Sequence, residues 1–271
     1  MNIRENIDEG IRSIKSNSLR TVLTALIIAI GITSLVGILT AIEGIQNSVN
    51  SSFADLGANT FTITNRVNDG FRSGGRRQRM YPNINYKEAT EFGKKFREEH
   101  GGIVSISANI AGAVQVNYQS KKTNPNTNIM GADEAYLGIK GYKIDFGRDI
   151  NKFDLESSLN VAVLGQEIAR NLFADISPIG STVTFMGTRY KVIGVLQKKG
   201  STGGGTDSDR IVIIPLSNGR GLAANRALTY SITASTPNIS EGENILEEAR
   251  GLMRKIRIDA LGNPDSFSIE R

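Results

Sequence analysis

Residue types that commonly carry chemistry are scarce in this chain of 271 residues. It contains no cysteine and no tryptophan, and His100 is its only histidine. The lack of cysteine excludes disulfides and thiol chemistry but leaves the cellular compartment undecided. The motifs G-x-x-x-x-G-K-[ST] and G-x-S-x-G are also missing, which excludes a Walker A phosphate cradle and a nucleophile elbow. We therefore predict that the chain is not an enzyme.

The remaining candidates for a catalytic or metal site each have a simpler explanation. His100 follows Glu98 and Glu99 at a predicted helix end, where a cation suits the helix dipole, so capping or exposure is favoured over catalysis. Asp207 and Asp209 lack the loop spacing of an EF-hand calcium site. The net charge of +5 is modest and spread along the chain, which does not indicate nucleic-acid binding. No catalytic, cofactor-binding or metal residue is predicted.

One long apolar run, Thr21 to Ile42, organises the rest of the sequence. Its 22 residues carry no charge, and twelve of them are Leu, Ile or Val. A helix of this length spans roughly 33 Å, about the thickness of the hydrocarbon core of a bilayer. A buried core helix would show a polar face, and a cleaved signal peptide would have a shorter apolar region. We predict a transmembrane helix over residues 19–44.

The segment before the span predicts its orientation. Its positive residues are Arg4, Arg12, Lys15 and Arg20. Positive charge on a short flank is held in the cytoplasm. The large domain is therefore predicted to lie outside the cytoplasm.

Residues 1–18 also contain isoleucines at helical spacing, Ile3, Ile7, Ile11 and Ile14. This pattern predicts an amphipathic helix on the cytoplasmic membrane surface. A helix packed on a protein partner is the alternative.

Two further faces are predicted along the apolar helix. Small residues recur every four positions at Ala25, Ala29, Thr33, Gly37 and Ala41. Such a ridge favours close packing of another membrane helix, although a plain anchor is the alternative. Beyond Glu43 the apolar pattern continues through Ile45, Val49, Phe53 and Leu56. This predicts a stalk helix over residues 45–57, with these side chains forming a dimer face and with Gly57 at its end.

The remaining residues predict an α+β domain in which β-α-β units occur at both ends. Asn85 and Glu88 form a capping box in the first unit, and a second box is predicted at residues 240–243. Two such units typically combine into one split βαβ sandwich. We assign residues 58–110 and 227–271 to this α/β subdomain. Strands and turns dominate residues 111–226, which are predicted to be an inserted, mostly β subdomain.

Three local features are predicted within this inserted part. A strand is predicted from Ala113 to Gln119, and a hairpin around Met186-Gly-Thr188. A flexible Gly/Ser/Asp loop is predicted at residues 201–209.

Several of these segments resemble the MacB-type ABC permeases. The resemblance begins with residues 17–57 (NSLRTVLTALIIAIGITSLVGILTAIEGIQNSVNSSFADLG) and the following Ala58-Asn-Thr-Phe-Thr-Ile63. It continues in the same order through Gly147-Arg148, Asn160-Val-Ala-Val-Leu-Gly165, Leu172-Phe173, Pro178-Ile-Gly180, Val192-Ile-Gly-Val195 and Ile213-Ile-Pro-Leu216. The ordered set covers most of the chain.

The resemblance implies a permease subunit that works by mechanotransmission. It implies that a partner ABC ATPase binds ATP and magnesium, so that no cofactor is expected in this chain. A second permease copy, in a homodimer or heterodimer, and a periplasmic adaptor are the other implied partners. The α/β subdomain would correspond to the family's porter-like part and the inserted part to its "sabre". The anchor would lie in the bacterial cytoplasmic (inner) membrane, with the main domain periplasmic or otherwise extracytoplasmic. Implied substrates are drugs, peptides or lipoproteins in export or efflux.

The sequence departs from the family pattern at its end. The family has three more membrane helices after this domain, and none follows before Arg271. The leading hypothesis is the N-terminal part of a permease. The alternative is a single-pass, membrane-anchored periplasmic scaffold or adaptor without a transport role.

Overall fold

The computed structural model of the chain describes residues 9, 12, 15–55, 60–66, 81–174, 176–198, 209–223, 226–235, 242–260 and 262–271. The chain divides into two compact units, Met1–Phe53 and Ala54–Arg271. Each unit is described by itself.

The first unit is dominated by one helix, α1 (Ser18–Asp55), which is 38 residues long. It contains no proline, and its apolar residues surround the helix instead of forming one stripe. The helix runs through Glu43 without a break and continues to Asp55, as the apolar pattern beyond the span predicts. Its predicted end at Gly57 lies outside the described residues.

The second unit contains twelve strands and six helices among the described residues. The strands are β1 (Thr60–Asn65), β2 (Val104–Val114), β3 (Asn117–Tyr118), β4 (Lys121–Lys122), β5 (Thr127–Ala132), β6 (Ile144–Gly147), β7 (Val161–Leu164), β8 (Thr182–Phe185), β9 (Thr188–Leu196), β10 (Ile211–Pro215), β11 (Tyr230–Ser235) and β12 (Phe267–Glu270). The helices are α2 (Tyr86–His100), α3 (Tyr136–Ile139), α4 (Lys152–Glu156), α5 (Gln166–Phe173), α6 (Leu216–Leu222) and α7 (Gly242–Arg257).

The two terminal β-α-β units form one antiparallel four-stranded sheet. Its order is β12-β1-β11-β2, so the strands of the two units alternate. Helices α2 and α7 contact each other, and α2 also contacts β2 and β11. This interleaving is the predicted split βαβ arrangement, and the α+β class is confirmed.

Helix α2 begins and ends where its sequence predicts. The Asn85 side chain accepts from the Glu88 N–H at 2.9 Å, and the Glu88 carboxylate accepts from the Asn85 N–H at 3.1 Å. At the other end Gly101 adopts φ 65°, which a residue with a side chain rarely tolerates. Phe92 and Phe96 are fully buried on its inner face, and their rings stack at 5.6 Å. The second predicted capping box, at residues 240–243, lies largely outside the described residues.

The inserted strands extend the same sheet. Strand β5 pairs antiparallel with β2 and parallel with β10, and β7 and β9 follow as a second parallel pair. Strand β7 is buried on both faces, since Ala162 packs in one apolar cluster and Val163 in the other. A short continuous apolar run is typical of such a strand.

Strand β2 joins the outer and inserted strands of the sheet. It is 11 residues long and pairs with β11 along one edge and with β5 along the other. Its register against β5 shifts between Asn109 and Ala111, and a β-bulge of this kind bends the strand. The predicted boundary between residues 110 and 111 falls at this bulge. The division into two subdomains stays a prediction.

The local predictions in the inserted part differ in accuracy. The hairpin around Met186 and Gly187 is present, because β8 and β9 pair up to Phe185 and Thr188. The strand predicted from Ala113 to Gln119 is wrong in its bounds: β2 ends at Val114 and β3 contains only Asn117 and Tyr118. Ala113 adopts φ 55° and Gln119 φ 51°, and these left-handed conformations interrupt an extended chain. The Gly/Ser/Asp loop predicted at residues 201–209 lies almost wholly outside the described residues.

Candidate functional site

The most distinctive surface of the described residues is that of helix α1. Its segment Ser18–Ile45 has a mean hydropathy of 2.6 over its most apolar part, and none of that part is buried within the protein. It is the one described helix that is long and apolar enough to cross a membrane. A soluble unit seldom leaves an apolar surface of this size uncovered, so lipid or another helix is needed to cover it.

Three threonine hydroxyls within α1 bond to the backbone of the same helix. The Thr40 hydroxyl donates to the Val36 carbonyl at 2.9 Å, and the Thr21 hydroxyl donates to the Asn17 carbonyl at 3.3 Å. Thr24 donates in the same way to the Arg20 carbonyl. A hydroxyl with such a partner costs little in an apolar surrounding, so the threonines are compatible with a membrane span.

The predicted packing ridge is open along its whole length. Its members Ala25, Ala29, Thr33, Gly37 and Ala41 are all exposed. A methyl group placed on Gly37 would meet no atom within 4 Å. The ridge therefore has room for a neighbouring helix, and its role in packing stays a prediction.

The stalk and membrane-surface predictions fall largely outside the described side chains. Ile45 is 64% exposed, and the backbone at Val49 and Phe53 is helical, but the side chains of Val49 and Phe53 and all of Leu56 are not described. Ile3, Ile7, Ile11 and Ile14 also lie outside the described residues. Both faces stay predictions.

The catalytic and metal-binding candidates do not converge in the described residues. No group of three or more His, Asp or Glu side chains is placed to hold a metal ion there. His100 is the last residue of α2, its ring lies 4.8 Å from that of Phe96, and its Nε2 lies 3.5 Å from a carboxylate oxygen of Glu248. These contacts place His100 at the packing of α2 on α7.

A buried ion pair, not visible in the sequence pattern, holds the turn after β6. The side chain of Asp154 is fully buried, and both its carboxylate oxygens accept from Arg148, at 2.6 and 3.0 Å. The same carboxylate accepts from the N–H of Asn151 and so completes a capping box for α4. The hydrogen bonds from Arg148 hold the pKa of Asp154 below its usual value. The neighbouring Gly147 has φ 86°, and a side chain there would meet the Ile193 carbonyl at 2.2 Å.

Two half-buried carboxyl groups near this turn have raised pKa values, in contrast to Asp154. Burial raises the pKa of Asp149 to about 6, against the opposing effects of the Ile150 N–H and Arg148. Burial also raises the pKa of Asp133, although Ser105 and the Ile106 N–H both donate to it at 2.6 Å. For these two carboxylates the cost of burial exceeds the stabilisation by hydrogen bonds and nearby charge, whereas for Asp154 the hydrogen bonds from Arg148 dominate.

Arg257 connects both terminal β-α-β units. Its side chain is only 2% exposed and donates to Glu88 at 3.0 Å, to the Pro82 carbonyl at 2.7 Å and to Ser266 at 2.6 Å. It thereby ties the start of α2 to the end of α7 and the entry to β12. Its partners Glu88 and Pro82 lie 169 and 175 positions earlier in the chain, so no local sequence pattern predicts these contacts.

Comparison with known proteins gives a consistent result. Residues 21–250 match the family model described as MacB-like periplasmic core domain. The "Macrolide export ATP-binding/permease protein MacB" of Bdellovibrio bacteriovorus is 27% identical over 266 residues, 98% of this chain and 40% of that protein. Its namesake in Rhodospirillum rubrum is 29% identical over 249 residues, 89% of this chain and 36% of that protein. The chain thus spans two fifths or less of the length of these relatives.

Solved structures agree on the fold. The periplasmic region of MacB from Actinobacillus actinomycetemcomitans is 23% identical and superposes with a TM-score of 0.61, covering 80% of this chain and 91% of that one. The extracellular domain of the ABC-type transporter YknZ from Gram-positive bacteria is 16% identical with a TM-score of 0.56, covering 79% of this chain and 100% of that one.

Proposed function

The chain belongs to the MacB-like periplasmic core domain family, and on that premise we propose that it is the N-terminal part of an ABC transporter permease subunit. In this proposal ATP hydrolysis by a partner ATPase in the cytoplasm is coupled to work in the periplasm. The chain supplies no catalytic group of its own. Its contribution is the mechanical connection between the membrane and the extracytoplasmic domain.

The observation that carries the proposal is the continuity of α1. The apolar segment Ser18–Ile45 passes without a break into a helical segment that reaches Asp55. At about 1.5 Å per residue, the part beyond Ile45 adds about 15 Å of helix. An unbroken helix is stiff along its axis, so displacement of its membrane part moves its outer end. A flexible linker would not transmit that displacement.

The remaining parts of the proposal follow the sequence. The cationic flank supports an orientation with the N terminus in the cytoplasm and the domain beyond the bacterial inner membrane. ATP and magnesium are bound by the partner ATPase, and a second permease copy packs against the stalk. A periplasmic adaptor is a further partner. The name of the relatives, macrolide export, favours a drug as the substrate, alongside peptides and lipoproteins.

The first test is isolation of the protein from its native membranes in mild detergent. We expect an ATP-binding ABC subunit to be retained, or to be found in the same polypeptide, and magnesium-dependent ATP hydrolysis to accompany it. A preparation that contains the intact protein but neither this subunit nor the activity would overturn the proposal. It would leave the membrane-anchored scaffold as the better interpretation.

A second test uses the absence of cysteine in the chain. A single Ile45→Cys substitution places a thiol on the predicted stalk face, and Glu43→Cys places one about 200° around the same helix. We expect oxidation in native membranes to join two Ile45→Cys copies several-fold more efficiently than two Glu43→Cys copies, with a yield that changes when ATP is added. Equal yields at both positions, insensitive to ATP, would contradict a nucleotide-driven stalk.

A further inference from the structure

A cavity of about 540 Å³ lies between helix α6 and the start of α2. The sequence separates its walls widely: Asn85 and Tyr86 come from the first β-α-β unit, Ser217 and Arg220 from α6, and Tyr230 from the start of β11. Arg226 and Leu228 complete the side that leads into β11. Among the described residues that line the cavity, only Arg220 and Arg226 are charged.

Arg220 is held in place by aromatic rings. Its guanidinium carbon lies 3.8 Å from the centroid of the Tyr86 ring, and the Tyr86 and Tyr230 rings are 5.6 Å apart. Burial raises the pKa of Tyr230, while the charge of Arg220 and its hydrogen bond to the phenol oppose that shift. A guanidinium stacked on a ring still presents its N–H groups at its edge, so Arg220 is oriented while the donors not used by Tyr230 stay available.

Neither arginine of the cavity has a carboxylate partner. Among the described residues no Asp or Glu oxygen lies within 4.0 Å of Arg220 or Arg226, in contrast to Arg148, Arg210 and Arg257. The Glu88 carboxylate at the start of α2 is taken by Arg257 and by the N–H of Asn85. The cavity therefore carries an excess of positive charge that the described part of the chain does not neutralise.

We propose that this cavity binds the phosphate group of a phosphate ester. A phosphate monoester has a charge of about −1.5 to −2 at pH 7, which the two positive guanidinium groups nearly balance, and arginine binds its oxygens through paired N–H donors. The cavity is much larger than a phosphate ion, and Leu228 and Ala223 give part of it an apolar lining. There is thus room for the organic group to which the phosphate is attached. A soluble metabolite and a lipid headgroup both have this chemistry.

The test measures binding of glycerol 3-phosphate to the full chain in maltoside micelles, which contain no phosphate. Line broadening of the ³¹P resonance reports the bound fraction. We expect saturable binding that weakens as salt is added. We expect the double variant R220Q/R226Q to bind at least about tenfold more weakly, because both charged donors are lost. Arg189 is also exposed and has no carboxylate partner among the described residues, so R189Q is the matched control and should bind within about twofold of the wild type.

Two further comparisons sharpen the result. R220K keeps the charge but loses the planar fork, and it should fall between the wild type and the double variant. Short-chain phosphatidic acid, which is also a phosphate monoester, assigns the source: tighter binding than glycerol 3-phosphate indicates a lipid headgroup, and weaker binding indicates a soluble ester. Tyrosine fluorescence, compared with that of the wild type, confirms that each variant is folded.

Three results would overturn the proposal. These are no saturable binding by the wild type, an equal loss of binding in R189Q and the double variant, and displacement of the phosphate by succinate at the same concentration as by glycerol 3-phosphate. The last result would make the cavity a carboxylate site. None of these measurements depends on an ATPase, so their failure is distinct from failure of the proposed transport function.

Discussion

Helix α1 and the unit Ala54–Arg271 differ in which side chains they expose and which they bury. The span in α1 has no charge between Arg20 and Glu43 and leaves its leucines and isoleucines exposed. The second unit buries its apolar side chains in two clusters and also buries charged groups, Asp154 and Arg257 among them. An apolar surface needs no cover from other protein atoms where lipid surrounds it. A charge, in contrast, is buried only where hydrogen bonds and an opposite charge compensate it.

The largest expected effect comes from placing charges in the middle of α1. Ile32→Arg combined with Leu35→Arg should cost about 5–7 kcal/mol of membrane insertion, because each central arginine costs about 2.5–3.5 kcal/mol. We expect the variant to leave the membrane fraction on carbonate extraction.

The control carries the same substitutions at the end of the helix. Leu19→Arg with Val22→Arg lets the long side chains reach the interface and adds to the cationic flank, so this variant should stay in the membrane. If both variants partition equally, α1 is not held by the bilayer.

Removing the buried charge of Arg257 from the second unit should have the next largest effect. Arg257→Ala removes the hydrogen bonds to Glu88, the Pro82 carbonyl and Ser266 and leaves Glu88 with only the Asn85 N–H. This loss should lower the free energy of unfolding by about 3–5 kcal/mol. Urea denaturation in detergent followed by tyrosine fluorescence measures this unit alone, since all seven tyrosines lie between Tyr81 and Tyr230.

Arg250 on the same helix is the matched control. It is 39% exposed and lies 3.6 Å from Glu247 and 3.7 Å from Asp265. Arg250→Ala should cost no more than about 1 kcal/mol. Similar losses for the two variants would show that burial does not decide the strength of these pairs.

The pH dependence of stability in a variant that lacks the Asp154 charge tests how strongly Arg148 stabilises this carboxylate. Because the pKa of Asp154 is lowered in the folded state, its ion pair contributes stability above the ordinary pKa of about 3.9. That stability is lost as pH falls through the folded-state pKa. Asp154→Asn should therefore be less stable at pH 7 by about 1–3 kcal/mol. Its urea midpoint should also fall less than that of the wild type as pH drops below 4, and a parallel pH profile would contradict the assignment.

Neutralising Asp149 should have a smaller effect of opposite sign. With a folded-state pKa of about 6, the native state still holds a proton between about pH 4 and 6 that the unfolded chain has released. Wild-type stability therefore falls as pH rises through this window. Asp149→Asn keeps the acceptor for the Ile150 N–H and should be more stable at pH 7 by about 0.5–1 kcal/mol. A urea midpoint unchanged at pH 7 would show that solvent already compensates this carboxylate.

The two regions also differ in how far their sequences predict them. Length and lack of charge are sufficient to predict α1, and local signals predict the Asn85 cap and the hairpin at Met186. The interleaved order of β1, β2, β11 and β12 follows from recognising two β-α-β units. The positive φ at Ala113, which shortens a predicted strand, has no glycine to signal it.

Sequence reasoning does not find the charged sites, because their partners are either far away in the sequence or not distinguished by any local pattern. The contacts of Arg257 cross most of the chain, and the cavity of Arg220 joins α6 to Tyr86. The pair of Arg148 and Asp154 is closer in sequence, but no periodicity distinguishes this carboxylate from those of Asp145 or Asp149. Burial decides which carboxylate is paired, and burial depends on the assembled sheet.

The interleaved sheet also determines the order in which the domain can fold. Strand β1 follows α1 directly, yet its partners are β11 and β12, and the hydroxyls of Thr62 and Thr233 meet across 171 positions. Closing so long a loop is entropically costly and slow. Because synthesis starts at the N terminus, β1 has no partner strand until β11 and β12 have been made, whereas β8 and β9 can already pair. The outer four strands close last, and β1 is the segment most exposed to mispairing during synthesis.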